Sequence, residues 1–356
     1  MTKPRFSTRL LHWFDQYGRK DLPWQRDRTP YHVWVSEIML QQTQVATVIP
    51  YYQRFIERFP DVKTLAAADL DEVLHLWSGL GYYARGRNLH KAARYITEQL
   101  HGEFPENYEQ LLALPGIGRS TAGAVLAQAF EQRYAILDGN VKRVLARYIA
   151  LPGWPGQTQY SDQLWQLAES LTPRSRIADY TQAIMDLGAL LCTRSKPNCA
   201  VCPVNQDCQA YRQGNPDAYP VKKPKQSIPT RSVKMILLRG QDGRLLLQRR
   251  PPAGIWGGLL SFPELELERD VVLWCKENVG SVQSLQQLQP LTHTFSHFRL
   301  QIQPVSATIH QPLPCVMEDT GWVWFTPGES IAGLAAPVSK LIQQLQHKQA
   351  ELEFVD

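Results

Sequence analysis

Four of the six cysteines in this chain stand at Cys192, Cys199, Cys202 and Cys208, a C-x6-C-x2-C-x5-C spacing. Thiols gathered this closely, with no secretory leader visible ahead of them, read as metal ligands rather than disulfides. The usual zinc arrangement pairs two short C-x2-C knuckles and this chain has one, so zinc and a four-iron cluster both stay open, with the spacing leaning to the cluster. Cys275 and Cys315 lie far away. A second candidate is Leu114-Pro115-Gly116-Ile117-Gly118-Arg119-Ser120-Thr121-Ala122, where two glycines end one helical pattern and open the next. Such a turn presents backbone N–H groups and a helix's positive end to a phosphate. Twenty residues on, Ile136-Leu137-Asp138-Gly139-Asn140-Val141 places an acid before another helix. Taken locally, Asp138 is an N-cap.

The elements that must hold these residues divide unequally. A chain of 356 residues predicts two or three domains. Apolar residues three and four apart in Tyr31 to Ile49 and Ser120 to Phe130, with Thr29-Pro30 as cap and first-turn proline, predict a nearly all-helical first part. Between Tyr211 and Arg231 the pattern lapses into Pro216, Pro220, Pro224 and Pro229 with a lysine cluster, which predicts an extended linker. Beyond it, Val233 to Arg239 and Arg244 to Arg250 flank Gly240-Gln241-Asp242-Gly243, and Phe298 to Ile302 alternates, so the second part should be α+β. Residues 1–225 carry 27 Lys and Arg against 21 Asp and Glu, whereas residues 226–356 carry 11 against 12. The basic excess belongs to the helical part and permits a polyanion partner. Composition excludes disorder and collagen, and no apolar run is long enough to span a membrane, so a soluble cytoplasmic protein is expected.

Together, the glycine hairpin, the later Asp and the cysteine cluster resemble the helix-hairpin-helix DNA glycosylases of the endonuclease III superfamily. Within it the chain is most similar to the adenine DNA glycosylases of the MutY type, which remove adenine mispaired with 8-oxoguanine. The likeness runs from about Leu22 to the C-terminus. Besides the hairpin, Asp138-Gly139-Asn140-Val141 and the cysteines, it rests on Leu22-Pro23-Trp24, Trp34-Val35-Ser36-Glu37-Ile38-Met39-Leu40-Gln41-Gln42-Thr43-Gln44 and Gly79-Leu80-Gly81-Tyr82-Tyr83-Ala84-Arg85. It implies a multi-domain chain: an all-α helix-hairpin-helix glycosylase region at 1–211, a linker at 212–230 and an α+β Nudix-like domain at 231–356. The hairpin would lie near 111–122, and the loop 192–208 would hold a [4Fe-4S] cluster on Cys192, Cys199, Cys202 and Cys208. The implied partner is double-stranded DNA with an A:8-oxoguanine or A:G mispair, engaged by a monomer.

The resemblance also implies roles. Releasing adenine requires protonating the departing base and stabilising positive charge on the sugar, which two oppositely tuned carboxyls can do. Glu37, among apolar neighbours, should have a raised pKa and act as the acid at adenine N7. Asp138, at a helix N-terminus, should have a lowered pKa and meet the sugar cation. Ser120 stands where the strand-cleaving members carry a lysine, which argues for a monofunctional enzyme using water. Gln41, Gln42 and Tyr82 are assigned to the opened duplex with Ser120 and Asn140, and the Gly116 and Gly118 amides to phosphate beside the flipped base. Taken locally, Glu37 reads instead as a solvent-facing helix acid and Tyr82 as an ordinary aromatic.

In the second part, Gly254-Ile255-Trp256-Gly257-Gly258-Leu259 resembles a Nudix fold, but Arg269 to Gly280 lacks the acidic metal ligands of a working Nudix helix. A lesion-reading role is implied instead, with Ser296 in His293-Thr294-Phe295-Ser296-His297-Phe298 against the oxidised base. The competing readings are a pyrimidine-lesion glycosylase with lyase activity, a non-catalytic mismatch-binding protein and a Nudix hydrolase with an accessory domain.

Overall fold

The computed structural model describes residues 5–224, 228–251, 254–295, 297–312, 321–329 and 333–353. The chain forms two compact units, Met1–Pro224 and Lys225–Asp356.

The first unit is helical: α1 Phe6–Tyr17, α2 Pro23–Arg26, α3 Pro30–Leu40, α4 Val45–Arg58, α5 Val62–Ala67, α6 Leu70–Leu76, α7 Ala84–Gln99, α8 Tyr108–Leu112, α9 Arg119–Ala129, α10 Gly139–Tyr148, α11 Thr158–Leu171, α12 Ile177–Asp186 and α13 Gln209–Arg212. Thr29 caps α3, its Oγ1 accepting from His32 N at 3.2 Å, and Pro30 fits the first turn, where no N–H is needed. One core, around Trp34, Phe55, Phe59 and Trp77, gathers α3 to α9. The other, around Leu10, Phe14, Leu145 and Leu187, gathers α1, α10, α11 and α12.

Apolar spacing over Tyr31 to Ile49 marks helix without a boundary, and the chain breaks at residues 41–44 into α3 and α4. Gln42 takes φ 58°, a left-handed conformation that ends the helix. The orphaned carbonyls at the end of α3 are met from outside: Arg85 Nη1 donates to Ile38 O, Met39 O and Gln41 O at 2.9, 2.8 and 2.6 Å. Residues 212–224, read from their prolines as the start of an extended linker, belong to the helical unit. Arg147 Nε donates to Pro216 O and Tyr219 O, both at 2.9 Å, and Lys223 lies over the Trp154 ring. Pro216–Ala218 form a 3-10 turn rather than extended chain, and proline density gave no sign of this anchoring cation.

The second unit is a mixed sheet in the order β3-β2-β1-β7-β5, with β4 on β1, β6 on β7 and β8 on β2. Its strands are β1 Thr230–Arg239, β2 Leu245–Arg249, β3 Leu260–Ser261, β4 Glu264–Leu265, β5 Gly280–Gln287, β6 Leu291–Thr294, β7 Arg299–Pro312 and β8 Trp322–Phe325. The helices are α14 Val271–Asn278 and α15 Ala336–Glu353. β1 and β7 run parallel from Thr230 opposite Arg299 to Arg239 opposite Thr308. Alternation in β1 sends Val233, Met235 and Leu237 to a core with Val338 and Leu341 of α15, and Ile236 and Leu238 to one with Val271 and Cys275 of α14. The result is a sheet with a helix on each face. Among the described residues no helix is long and apolar enough to cross a membrane.

Candidate active site

The hairpin joins α8 to α9. Gly116 takes φ +80°, and a Cβ there would stand 2.9 Å from Asn88 Cβ, so both backbone shape and space call for glycine. The turn delivers Ser120 to the first turn of α9, where its Oγ accepts from Leu137 N at 3.1 Å and ties the hairpin to the segment leading into α10. α3 packs against α9. These contacts bring Glu37, Gln41, Gln42, Ser120, Asp138 and Asn140 to one cleft, with about 1870 Å³ of empty space including open solvent. Gly116, Gly118 and Tyr82 lie outside that lining.

Burial pushes the Glu37 carboxyl up to about 7; the charge of Asp138 adds to this, and a hydrogen bond from Gln128 opposes it. That bond runs from Gln128 Nε2 to Glu37 Oε1 at 3.2 Å. Asp138 caps α10: Oδ1 accepts from Val141 N at 2.7 Å, and Oδ2 from Asn140 Nδ2 at 3.3 Å. The sequence expectation of a lowered pKa for Asp138 is corrected, because burial raises it, against the Val141 N–H, Arg143 and Asn140. A helix N-terminus lowers a carboxyl pKa when solvent also reaches it, and here tertiary packing removes the solvent. The two carboxyls therefore differ in compensation. Asp138 has N–H donors and a guanidinium nearby that oppose the effect of burial, while Glu37 has only Gln128 to oppose it and an acidic neighbour that adds to it.

Arg143, one turn beyond Asn140, joins Asp138 to the cysteine loop. Its Nη2 donates to Asn140 Oδ1 at 2.8 Å and Gly188 O at 2.6 Å, and its Nε to Cys192 O at 2.8 Å. Gly188 permits the approach, since a Cβ there would meet Asn140 Cβ at 2.7 Å. Cys192, Cys199, Cys202 and Cys208 line one cavity with Val144, Leu187 and other largely apolar neighbours. Arg147, fully buried, donates from Nη1 to Cys192 Sγ at 3.3 Å and Thr193 O at 2.6 Å. Burial pushes the Cys202 thiol up to about 12 and raises Cys199 and Cys208, with the neighbouring cysteines adding to each. A bound cationic centre offsets this by stabilising thiolates. Four sulfur donors, an apolar shell and a guanidinium beside one sulfur fit an iron–sulfur group, although among the described residues no three His, Cys, Asp or Glu side chains are placed to hold a metal ion.

Gln42 and Tyr82 occupy separate loops, both with non-glycine residues at positive φ, 58° and 50°. Arg85 clasps the two: besides Gln41 O, its Nη2 donates to Thr43 Oγ1 at 3.2 Å on one loop and Gly81 O at 3.1 Å on the other. The guanidinium lies 5.4 Å from the centroid of the Tyr82 ring, which is 59% exposed and free to meet a partner. Sequence reading missed this cation, and it missed Arg19, Gln128, Arg143 and Gln182 as well. Glutamines flanked by alanines in helices, as in Ala127-Gln128-Ala129 and Gln182-Ala183, were the available signal, since an amide in an apolar stripe needs a buried partner.

In the second unit Ser296 lies outside the described residues. Around it, β6 and β7 pair antiparallel, Phe295 N donates to Phe298 O at 2.9 Å, and the Phe295 and Phe298 rings stack at 4.5 Å. Trp256 reaches the same tip, 5.2 Å from Phe295.

A glycine hairpin tied through Ser120 to the segment carrying Asp138, with Glu37 lining the same cleft, fits a base-excision DNA glycosylase of the helix-hairpin-helix class, and the family comparison shows that class. Residues 35–170 match the family described as HhH-GPD superfamily base excision DNA repair protein, and residues 234–344 match a NUDIX domain. The helical unit resembles a thermostable thymine-DNA glycosylase, with a TM-score of 0.54 and 29% identity over 58% of this chain and 95% of that one. An adenine DNA glycosylase of Buchnera aphidicola (subsp. Acyrthosiphon pisum) is 38% identical across 97% of this chain and 99% of its own length. The Homo sapiens adenine DNA glycosylase is 36% identical across 97% of this chain and 74% of its own. The chain belongs to the adenine DNA glycosylase family, and its activity is base-excision repair of adenine mispairs in DNA.

Proposed function

We propose that the enzyme excises adenine opposite 8-oxoguanine or guanine with Glu37 as general acid and Asp138 as the partner of the sugar cation. The observation that carries the reading is the pair itself: two carboxyls lining one cleft, one on α3 held at about 7 and the other capping α10. Glu37, protonated below neutrality, gives its proton to adenine N7. The C1′–N9 bond breaks with its electron pair leaving on the base, and the cation at C1′ meets the Asp138 carboxylate. Water then adds at C1′ and loses a proton. Ser120 stands at the head of α9 and no lysine lines the cleft among the described residues, which supports a monofunctional glycosylase using water.

Gln41 and Gln42 face the cleft with Asn140, and Tyr82 projects from the loop clasped to theirs. This placement supports contact with the opened duplex, and the backbone of Gly116 and Gly118 contact with phosphate. Cys192, Cys199, Cys202 and Cys208 would hold a [4Fe-4S] cluster, which when bound would stabilise the loop that Arg143 ties through Asn140 to Asp138. The Nudix-like unit reads 8-oxoguanine through the aromatic tip of β6 and β7, and Ser296, next to Phe295 in sequence, is assigned to the oxidised base. Its α14 carries Lys276, Glu277 and Asn278 rather than a cluster of acidic ligands, which disfavours hydrolase activity. A chain ending near Val221 that retains adenine excision but loses its preference for 8-oxoguanine over guanine supports this division of labour. Unchanged preference refutes it.

A further inference from the structure

Behind Glu37 runs a buried chain of amides that ends on an ion pair. Gln128 Nε2 donates to Glu37 Oε1. Gln25 Nε2 donates to Gln128 Oε1 at 2.9 Å and to Gln182 Oε1 at 2.7 Å. Gln182 Nε2 donates to Asp186 Oδ1 at 2.7 Å. Asp186 in turn accepts from Arg19 at N, Nε and Nη2, at 2.7, 2.9 and 2.7 Å. The three glutamines are 8%, 4% and 3% exposed and Asp186 is 0% exposed, so solvent cannot repair a reversed bond.

We propose that the Arg19–Asp186 ion pair, acting through Gln182, Gln25 and Gln128, is a positioning device that fixes which oxygen of Glu37 carries the acid proton. The amide chain can point only one way. A carboxylate paired with a guanidinium only accepts, so Gln182 must turn its NH2 to Asp186 and its oxygen inward. That oxygen requires the NH2 of Gln25, whose second N–H then demands the oxygen of Gln128. Gln128 is left with its NH2 toward Glu37 Oε1. Turning Gln25 over would set its oxygen against two acceptors, a costly arrangement in a buried site. The tolerated cost is that Gln25 Oε1 itself is buried with no partner among the described residues. Because Oε1 accepts from Gln128, the proton sits on Oε2. Were Gln128 free to turn, Glu37 could donate to its oxygen, and the proton meant for the base would be held in the protein.

This inference rests on Glu37 as the acid and goes beyond it to what orients the acid. The charged groups facing Glu37 across the cleft are Asp138 with Arg143 on α10, Arg19 ahead of α2, and Arg194 in the cysteine loop, and the substitutions below leave all of them in place. The test is single-turnover adenine excision by the full-length protein from pH 5 to 9, with the wild type, Gln128→Met, Gln25→Met and Glu37→Gln compared. Gln128→Met removes the bond itself and should move the alkaline limb of the rate upward by about one pH unit, a tenfold rise in proton affinity. Gln25 does not touch Glu37, yet Gln25→Met should reproduce that displacement and lower the plateau rate about tenfold. Duplex affinity should stay near wild type. A Gln25→Met limb at the wild-type pH, with only stability or affinity changed, overturns the relay. Active Glu37→Gln overturns the acid assignment and the relay with it, a separate result. Should Gln25→Met not fold, the pH-difference infrared spectrum of the unsubstituted protein decides: a Glu37 carboxylic C=O band shifted by an accepted hydrogen bond supports the relay, and a free-carbonyl band overturns it.

Discussion

Glu37 should cost the protein stability at the pH where it works, and the cost can be measured against its amide. Its carboxyl is held at about 7, against 4.5 for an ordinary glutamate, mainly by burial. At about 1.4 kcal/mol per pKa unit, the folded state favours the protonated form by on the order of 3 kcal/mol. The sign follows from proton uptake. Between the two values the folded chain binds a proton that the unfolded chain has released, so this contribution is complete below about 4.5 and is lost as pH rises through about 7. Glu37→Gln carries no charge and has no such dependence. Equilibrium urea unfolding of wild type and Glu37→Gln, followed by a helical signal from pH 4 to pH 8.5, cancels the titrating groups that do not interact with Glu37, leaving its own term and its coupling to Asp138. The two should be close at the acid end, and the glutamine form more stable by about 3 kcal/mol at the alkaline end, allowing for partial solvent access. A difference that stays flat across that range would show that Glu37 titrates as an exposed glutamate and would refute the burial argument.

Arg85→Lys keeps the charge but replaces a planar fork serving two loops with a single ammonium, so duplex affinity should weaken by about 1–3 kcal/mol while the pH profile of excision stays put; a filter-binding titration of a mispaired duplex reads the loss. Asn140→Ala removes a donor to Asp138 and the acceptor of Arg143, and single-turnover excision should slow at least about tenfold with the melting temperature little changed. Cys202→Ser should reduce the iron–sulfur absorbance and lower the melting temperature of the helical unit, checked by iron assay and circular dichroism.

What could be read from the residues was what is local in the chain. The cysteine spacing, the glycine hairpin and the Thr29-Pro30 helix start each fit within a short window, and the structure places the four thiols on one cavity and Ser120 on the cleft. The run Val233 to Arg239 likewise read as a strand, though its burial on both faces became visible only in the fold. What could not be read depends on contacts distant in sequence. The direction of the Asp138 shift was missed because a helix start is visible in sequence and the packing that excludes water is not. The break at residues 41–44 was hidden because its cap is supplied by Arg85 from another loop. The glutamine chain joins Gln25 to Gln128 and Gln182 across separations of 103 and 157 residues, and no single-sequence pattern links them.

The central claim is that Glu37 and Asp138 together release adenine, and single-turnover assays on duplexes carrying adenine opposite 8-oxoguanine, scored before and after alkali, test it most directly. The wild type should lose the base and show strand breakage only after alkali. Glu37→Gln and Asp138→Asn should bind the duplex but excise slower by at least about a hundredfold. Near-normal excision by either variant, or strand breakage by the wild type before alkali, would contradict the account.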